Sequence, residues 1–291
     1  MKFRRGQSSS YVDDRRGGRS RGATIGAGGG IVGVIIAVVV ALTSGGGGGG
    51  GGGVGLDDIL GQLGGPSAGG GGAVVTGGTG GAADDELEDF MRAVMNDLQE
   101  TWTELFAADG LTYEPTTLVL FTGSVQTGCG GATSAVGPFY CPADRLAYID
   151  FEFFQDLSSR FGAPGDFAQA YVIAHEVGHH VQNLLGASGG GGRSNEDSIR
   201  IELQADCYAG VWANQVFEQG DADLELSDGD IEEGLGAAEA VGDDRIQEQS
   251  GVDVNPETWT HGSAEQRTEW FTTGYRSGDP DVCDTSREQV G

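Results

Sequence analysis

Two histidines and a glutamate stand at the spacing that zinc chemistry uses: His175, Glu176, Val177, Gly178, His179. On an α-helix, residues four apart project from one face one turn apart, so both imidazoles can reach a single ion. Glu176 is offset by about 100° around the helix axis, where it can hold the metal's water rather than the metal. The chain has only four His, three of them at 175, 179 and 180, which makes this pattern specific. His180 points away from the 175/179 face and reads as structural. Two surface histidines on an amphipathic helix would be the plain alternative.

A catalytic zinc needs a third protein ligand and an open fourth position. One motif class places a third His six residues after the second, but here that position is Leu185, and Gln182 replaces the Gly that class requires. A second helical stretch offers Glu202 and Asp206, again four apart and on one face. Ala205, Ala209 and Gly210 would let it pack close to the first helix. One carboxylate can then bind zinc while the other orients a ligand histidine from behind. The remaining histidine, His261, precedes a predicted helix start, where it could donate to a developing oxyanion or act as a polar cap.

The elements that must position these residues follow from periodicity. Apolar residues at Leu87, Phe90, Met91, Val94, Met95, Leu98, Trp102, Leu105 and Phe106 predict a helix over 84–108. Short strands are predicted at 116–121 and, from alternating polar and apolar residues, at 146–154, where an extended substrate could pair alongside the active-site helix. Helices are predicted over 166–185, with Asp166 and Gln169 as a capping pair and Gly186 as the stop, and over 194–219. Two more are predicted over 230–249 and 263–275, with a Gly-rich loop at 186–193. The sum is an α+β domain, mainly helical, with a small antiparallel sheet.

Composition divides the chain. Residues 1–44 carry seven basic residues against two acids, whereas the remainder carries nine Arg against 42 acids, for a total of −28. Such an acidic body repels phosphates, which excludes nucleic acid as a partner. Residues 1–22 are polar and basic, and read as a disordered cytoplasmic tail. Residues 23–44 are uncharged, with an apolar run at 31–43 that can span a bilayer with its Gly-rich flank, as one uncleaved anchor. Basic residues before it, and none after until Arg92, place the N-terminus in the cytoplasm and the domain from 84 to 291 outside the cell. Between them, 45–83 reads as a flexible tether, with 21 Gly in residues 45–81. Cys129, Cys141, Cys207 and Cys283 form an even set with no zinc-knuckle spacing, so an exported domain would hold two disulfides, for which three pairings exist.

The motifs together resemble the neutral zinc metallopeptidase family of bacteria, membrane-anchored relatives of the gluzincins. The resemblance spans the basic start and anchor and most of 84–284. It rests on Gly137-Pro-Phe-Tyr-Cys-Pro-Ala-Asp144, Ala174-His-Glu-Val-Gly-His-His-Val-Gln182, Glu202-Leu-Gln-Ala-Asp-Cys-Tyr-Ala-Gly-Val-Trp212, Gly242-Asp-Asp-Arg245 and Thr260-His-Gly-Ser-Ala-Glu-Gln-Arg267. It implies one zinc ion bound by His175, His179 and Glu202, with Glu176 as catalytic base acting on peptide or protein substrates. Cys207 sits in the Glu202 helix, so pairing it with Cys283 would pin the C-terminal segment beside the site and leave Cys129 with Cys141. The rival readings are a zinc-binding but catalytically silent envelope module, and a structural envelope protein whose motif is incidental.

Overall fold

A computed structural model describes residues 1–16, 82–187, 194–219 and 223–288. The anchor expected at 23–44 and nearly all of the tether lie outside those residues, as does most of the 186–193 loop. No helix among the described residues is long and apolar enough to cross a membrane.

Helices dominate, as the periodicity predicts. Helix α1 (Ala82–Ala108) buries Phe90, Met91, Val94, Met95, Leu98, Trp102 and Phe106 along one side. Helix α3 (Asp166–Leu184) is the central element: every residue from Ala170 to Gln182 is buried, so it is wrapped on all sides rather than amphipathic. Helix α4 (Asn195–Gln219) lies beside it, α5 (Asp228–Ala240) covers its N-terminal part, and α7 (Ala264–Ser277) closes over α4. The short helices α2 (Glu152–Ser159) and α6 (Asp243–Gln249) complete the set among the described residues. The capping pair Ser263 and Gln266 forms at the start of α7, with both reciprocal bonds present. The pair expected at Asp166 does not form: Gly165 occupies the cap position with φ 125°, and Asp166 is the first helical residue.

Helix contacts depend on small residues at a few points. A Cβ on Gly178 would sit 3.0 Å from the Ala205 carbonyl oxygen, so α3 and α4 approach at backbone distance directly behind the histidine pair. Gly210, expected on that same interface, faces α7 instead. A Cβ there would lie 2.1 Å from the Phe271 carbonyl oxygen, and one on Gly274 would lie 2.0 Å from that of Cys207.

The eight strands among the described residues are short: β1 (Lys2–Phe3), β2 (Val12–Asp14), β3 (Thr117–Phe121), β4 (Ser124–Thr127), β5 (Gly130–Thr133), β6 (Phe139–Cys141), β7 (Leu146–Asp150) and β8 (Leu224–Glu225). The main sheet runs β2-β3-β7-β6. Its pairing is mixed rather than antiparallel throughout: β2 with β3 and β3 with β7 are parallel, and only β6 with β7 is antiparallel. The β4–β5 hairpin and β6 carry the chain back so that it enters β7 in the direction of β3.

Four sequence expectations change here. The strand expected over 146–154 stops at Asp150, whose carboxylate accepts the N–H groups of Glu152 (3.1 Å) and Gly123 (2.8 Å) and so turns the chain into α2. Strand β7 has partners on both edges, which leaves no free edge for a substrate, and the edge of the sheet beside α3 is β6. The helix expected over 230–249 breaks into α5 and α6 at Gly242, where a Cβ would sit 2.3 Å from the Ala264 backbone nitrogen. Finally, residues 1–16 are not a free tail. They pair with the domain through β1–β8 and β2–β3.

Candidate metal centre

The helix spacing does what the sequence requires of it. His175 and His179 stack edge to face with ring centroids 4.7 Å apart, both buried on α3. Glu202 faces them from α4: its Oε2 lies 3.1 Å from Nε2 of His175, and its Oε1 3.6 Å from Nε2 of His179. One donor atom from each of the three lies within 4.8 Å of the others. Two imidazole nitrogens and a carboxylate oxygen form a donor set suited to zinc.

The other ring nitrogen of each histidine is held. Nδ1 of His175 donates to Asp206 Oδ1 at 2.8 Å, and Nδ1 of His179 donates to Gln182 Oε1 at 2.9 Å. The Gln182 amide is oriented by its own donors, since Nε2 gives hydrogen bonds to the Ile201 carbonyl (2.7 Å) and Gln204 Oε1 (3.0 Å). Its oxygen must therefore face the histidine. Once each Nε2 gives up its proton, as metal binding demands, both imidazoles present that nitrogen toward Glu202 with Nδ1–H still engaged.

Asp206 is fully buried, yet it stays ionised. Burial would raise its pKa, but the Arg267 charge and the His175 interaction outweigh that and bring it down to about 2. Arg267, 2% exposed, grips it with two bonds, Nε to Oδ2 (2.8 Å) and Nη2 to Oδ1 (2.9 Å), and also donates to the Val241 carbonyl. Tyr171 donates its hydroxyl to the same Oδ1. Burial likewise opposes the protonated form of His175, but Asp206 and Glu202 lift its pKa to about 10. Glu202 is held well below the usual carboxylate range: burial works against this, and the His179 charge and the hydrogen bonds from both histidines prevail. In the protein without metal, protons on the histidines thus occupy the electrostatic place of a cation.

Glu176 is buried beside the pair and its pKa is raised, chiefly by burial, against the pull of His179 and His175. His261 is also buried, near enough to Glu202 for its charge to act there. Nδ1 of His261 is shared between Asp243 Oδ1 (3.2 Å) and Thr260 Oγ1 (2.9 Å). Asp243 is locked in turn by the backbone N–H groups of Thr260, His261 and Gly262. His180 stands apart, between the Tyr140 hydroxyl and the Glu114 carbonyl, and burial lowers its pKa.

The structure therefore brings His175, His179 and Glu202 together, sets Asp206 behind His175, and places Glu176 and His261 within electrostatic reach. It adds Gln182, Arg267, Tyr171 and Asp243, which the sequence reading gives no role. Gln182, three residues after His179, was legible in principle as a helix neighbour of the ligand. Arg267, one of few basic residues in an acidic body, had no sequence signal that paired it with Asp206.

The disulfides are Cys129–Cys141 and Cys207–Cys283. The second fixes the C-terminal segment to α4, and the Cys283 carbonyl accepts a hydrogen bond from Gln204, the residue that orients Gln182.

A buried helix carrying His-Glu-x-x-His, completed by a carboxylate from the following long helix, defines a metallopeptidase-type centre on a mainly helical α+β domain. The chain belongs to the family described as putative neutral zinc metallopeptidase, whose family model matches residues 1–286. It is similar to the uncharacterized protein YpfJ of Escherichia coli, 46% identical over 216 residues, or 71% of this chain and 74% of that protein. It is also similar to the uncharacterized protein Rv2575 of Mycobacterium tuberculosis, 53% identical over 204 residues, or 66% of this chain and 68% of that protein. No solved structure matches.

Proposed function

We propose that this protein is a zinc-dependent endopeptidase that hydrolyses peptide bonds at the outer face of a bacterial membrane, with one zinc ion held by His175, His179 and Glu202. The observation that carries the reading is Glu176: a buried carboxyl with a raised pKa, next to three converging ligands. A silent zinc module has no use for a desolvated base at that point. When bound, zinc would polarise the scissile carbonyl and acidify the attacking water.

Glu176 takes the proton of the attacking water and passes it to the leaving amine; burial, which raises its pKa, strengthens it as a base. Asp206 and Gln182 fix the two ligand rings so that their Nε2 atoms stay aimed at the ion. His261, held through Nδ1 by Asp243 and Thr260, is the residue we assign to stabilising the charge that develops on the carbonyl oxygen. The outer-face placement is supported by two disulfides, which persist in oxidising compartments, and by an apolar segment at 23–44 that can hold the chain to a membrane.

The test is cleavage of a quenched peptide library by the zinc-loaded protein, with zinc per chain measured on the same samples. Glu176→Gln keeps size and removes the basic carboxylate, so zinc should stay while turnover falls by about 10²–10⁴-fold. Zinc binding with no cleavage by the unmodified protein would favour the silent module, and full activity in Glu176→Gln would remove the assigned base.

A further inference from the structure

The segment that follows α7 lies along α4 as a strap. It consists of two single turns, Pro280–Val282 and Thr285–Arg287, capped by the Asp279 and Asp284 side chains. Three residues of α4 receive it. The Arg200 carbonyl accepts the Thr285 hydroxyl at 2.8 Å, Gln204 Nε2 donates to the Cys283 carbonyl at 2.8 Å, and Cys207 is bonded to Cys283 through sulfur. At about 100° per residue, Arg200, Gln204 and Cys207 share one face of α4, within about 60° of one another. Glu202 and Asp206 project from the other side. The strap thus backs the stretch of helix that carries the carboxylate ligand.

Its own hold is slight. Asp281, Val282, Asp284 and Ser286 are exposed, and among the described residues of 279–288 only Cys283 and Thr285 are buried. A segment with so little buried apolar surface opens readily unless something else fixes it. The covalent bond does that, and it is sequestered: Cys207 is fully buried and Cys283 is 1% exposed, whereas Cys129 of the other disulfide is exposed. Thiol–disulfide exchange needs access to a sulfur, so the second bond, once closed inside the folded domain, stays closed.

What the bond fixes leads back to the metal centre. The Cys283 carbonyl engages Gln204 Nε2, which leaves Gln204 Oε1 to accept Gln182 Nε2 at 3.0 Å. The other end of the Gln182 amide accepts Nδ1 of His179 at 2.9 Å. An amide donates from its nitrogen and accepts at its oxygen, so fixing the first amide in this row favours one sense of the second. Gln182 has another anchor in the Ile201 carbonyl, so loss of the strap weakens this order without abolishing it. We propose, resting on the zinc ligands assigned above, that Gln204 is a positioning residue for His179 and that the Cys207–Cys283 bond sets it, so that tight zinc binding waits for oxidation of that pair. Closing the bond takes two protons and two electrons from the two thiols, and a disulfide-carrying oxidant accepts them and leaves as two thiols. In a reducing compartment the thiols persist and the strap is loose, which keeps the peptidase poorly metallated; in an oxidising one the bond closes and the site tightens.

Zinc affinity of the full-length protein, read by competition with a chromophoric chelator, tests this without any peptidase assay. Cys207→Ala with Cys283→Ala represents the unlinked state and carries no thiol at those positions that would itself bind zinc. It should bind zinc about tenfold more weakly than the unmodified protein. Cys129→Ala with Cys141→Ala controls for a general loss of stability and should keep the unmodified affinity. Gln204→Met, with both disulfides intact, should show a loss of about tenfold by itself, and adding it to the Cys207 and Cys283 substitutions should change little more. That non-additivity is what transmission through Gln204 requires and a merely structural role does not produce. Unchanged zinc affinity in the unlinked protein or in Gln204→Met would overturn the proposal, as would an equal loss in the Cys129 and Cys141 variant. Failure of the unmodified, oxidised protein to bind zinc is a separate result, which would remove the zinc reading itself and the proposal with it.

Discussion

Asp206→Asn is the perturbation that best separates what builds this site from what makes it bind metal. Asp206 accepts four hydrogen bonds inside the core: Tyr171 at 2.5 Å, His175 at 2.8 Å, and Arg267 at 2.8 and 2.9 Å. The amide keeps the shape but replaces one accepting oxygen with a donor, so at least one buried donor faces another. It also leaves Arg267, which is 2% exposed, without its counter-charge. Removing one partner of a buried ion pair costs about 3–5 kcal/mol, so the metal-free domain should lose stability of that order in denaturant titration with chelator present. Zinc affinity, read by competition with a chromophoric chelator, should fall by about 10–100-fold because the acceptor behind His175 loses its charge. The second variant, Asp206→Asn with Arg267→Met, removes the stranded charge. It should recover much of the stability and none of the zinc affinity, a coupling that a double-mutant cycle measures directly. If Asp206→Asn changed neither quantity, or if the double variant restored zinc affinity as well, the assignment of Asp206 as the residue that orients His175 would be wrong.

Two further outcomes follow from the same geometry. Breaking Cys207–Cys283, which closes 76 residues, should cost up to about 4.5 kcal/mol by chain entropy, against about 2.8 for Cys129–Cys141, which closes 12; equal losses in chemical denaturation would refute that ordering. The His175 pKa is raised from 6.5 to about 10, so its protonated form stabilises the metal-free domain fully below pH 6.5, and this contribution is lost as pH rises through 10. Zinc competes with that proton, so the melting temperature in chelator should fall while zinc affinity rises across the same window, and parallel trends would contradict the site's electrostatics.

Much of the fold was legible because its signals are local. Apolar spacing in 84–108, the Ser263 and Gln266 box, and the Gly stop after 185 each rest on neighbours within a turn or two, and each matches an element found close to those bounds. The misreadings fall where a distant contact overrides local pattern. The alternation over 146–154 is sound, but the Gly123 N–H, 27 residues away, engages Asp150 and helps to end the strand there. Residues 230–249 are helical throughout by composition, and the close approach of Ala264 to Gly242 breaks them in two. Residues 1–16 look polar and free because the groups that hold them, β3, β8 and the Asp230 carboxylate, lie far along the chain.

The site divides the same way, and the division says how it is held. His175, Glu176, His179, Glu202 and Asp206 were readable because helix periodicity fixes their faces. What braces Asp206 and Gln182 behind the two rings was not, because part of each support comes from the C-terminal part of the chain. His175 is held through Asp206 by Arg267 on α7, and His179 through Gln182 by Gln204, which is itself tied to the carbonyl of disulfide-bonded Cys283. Neither route shares a residue with the other, and α3 and α4 alone contain neither Arg267 nor Cys283. A fragment ending after α4 would therefore keep every ligand named by the motif and the Gln182 bond to Ile201, but lose the Arg267 grip on Asp206 and the Cys283 carbonyl behind Gln204. The His-Glu-x-x-His signature marks where the metal chemistry sits, and Arg267 and Cys283, far along the chain from it, brace the residues that hold its rings.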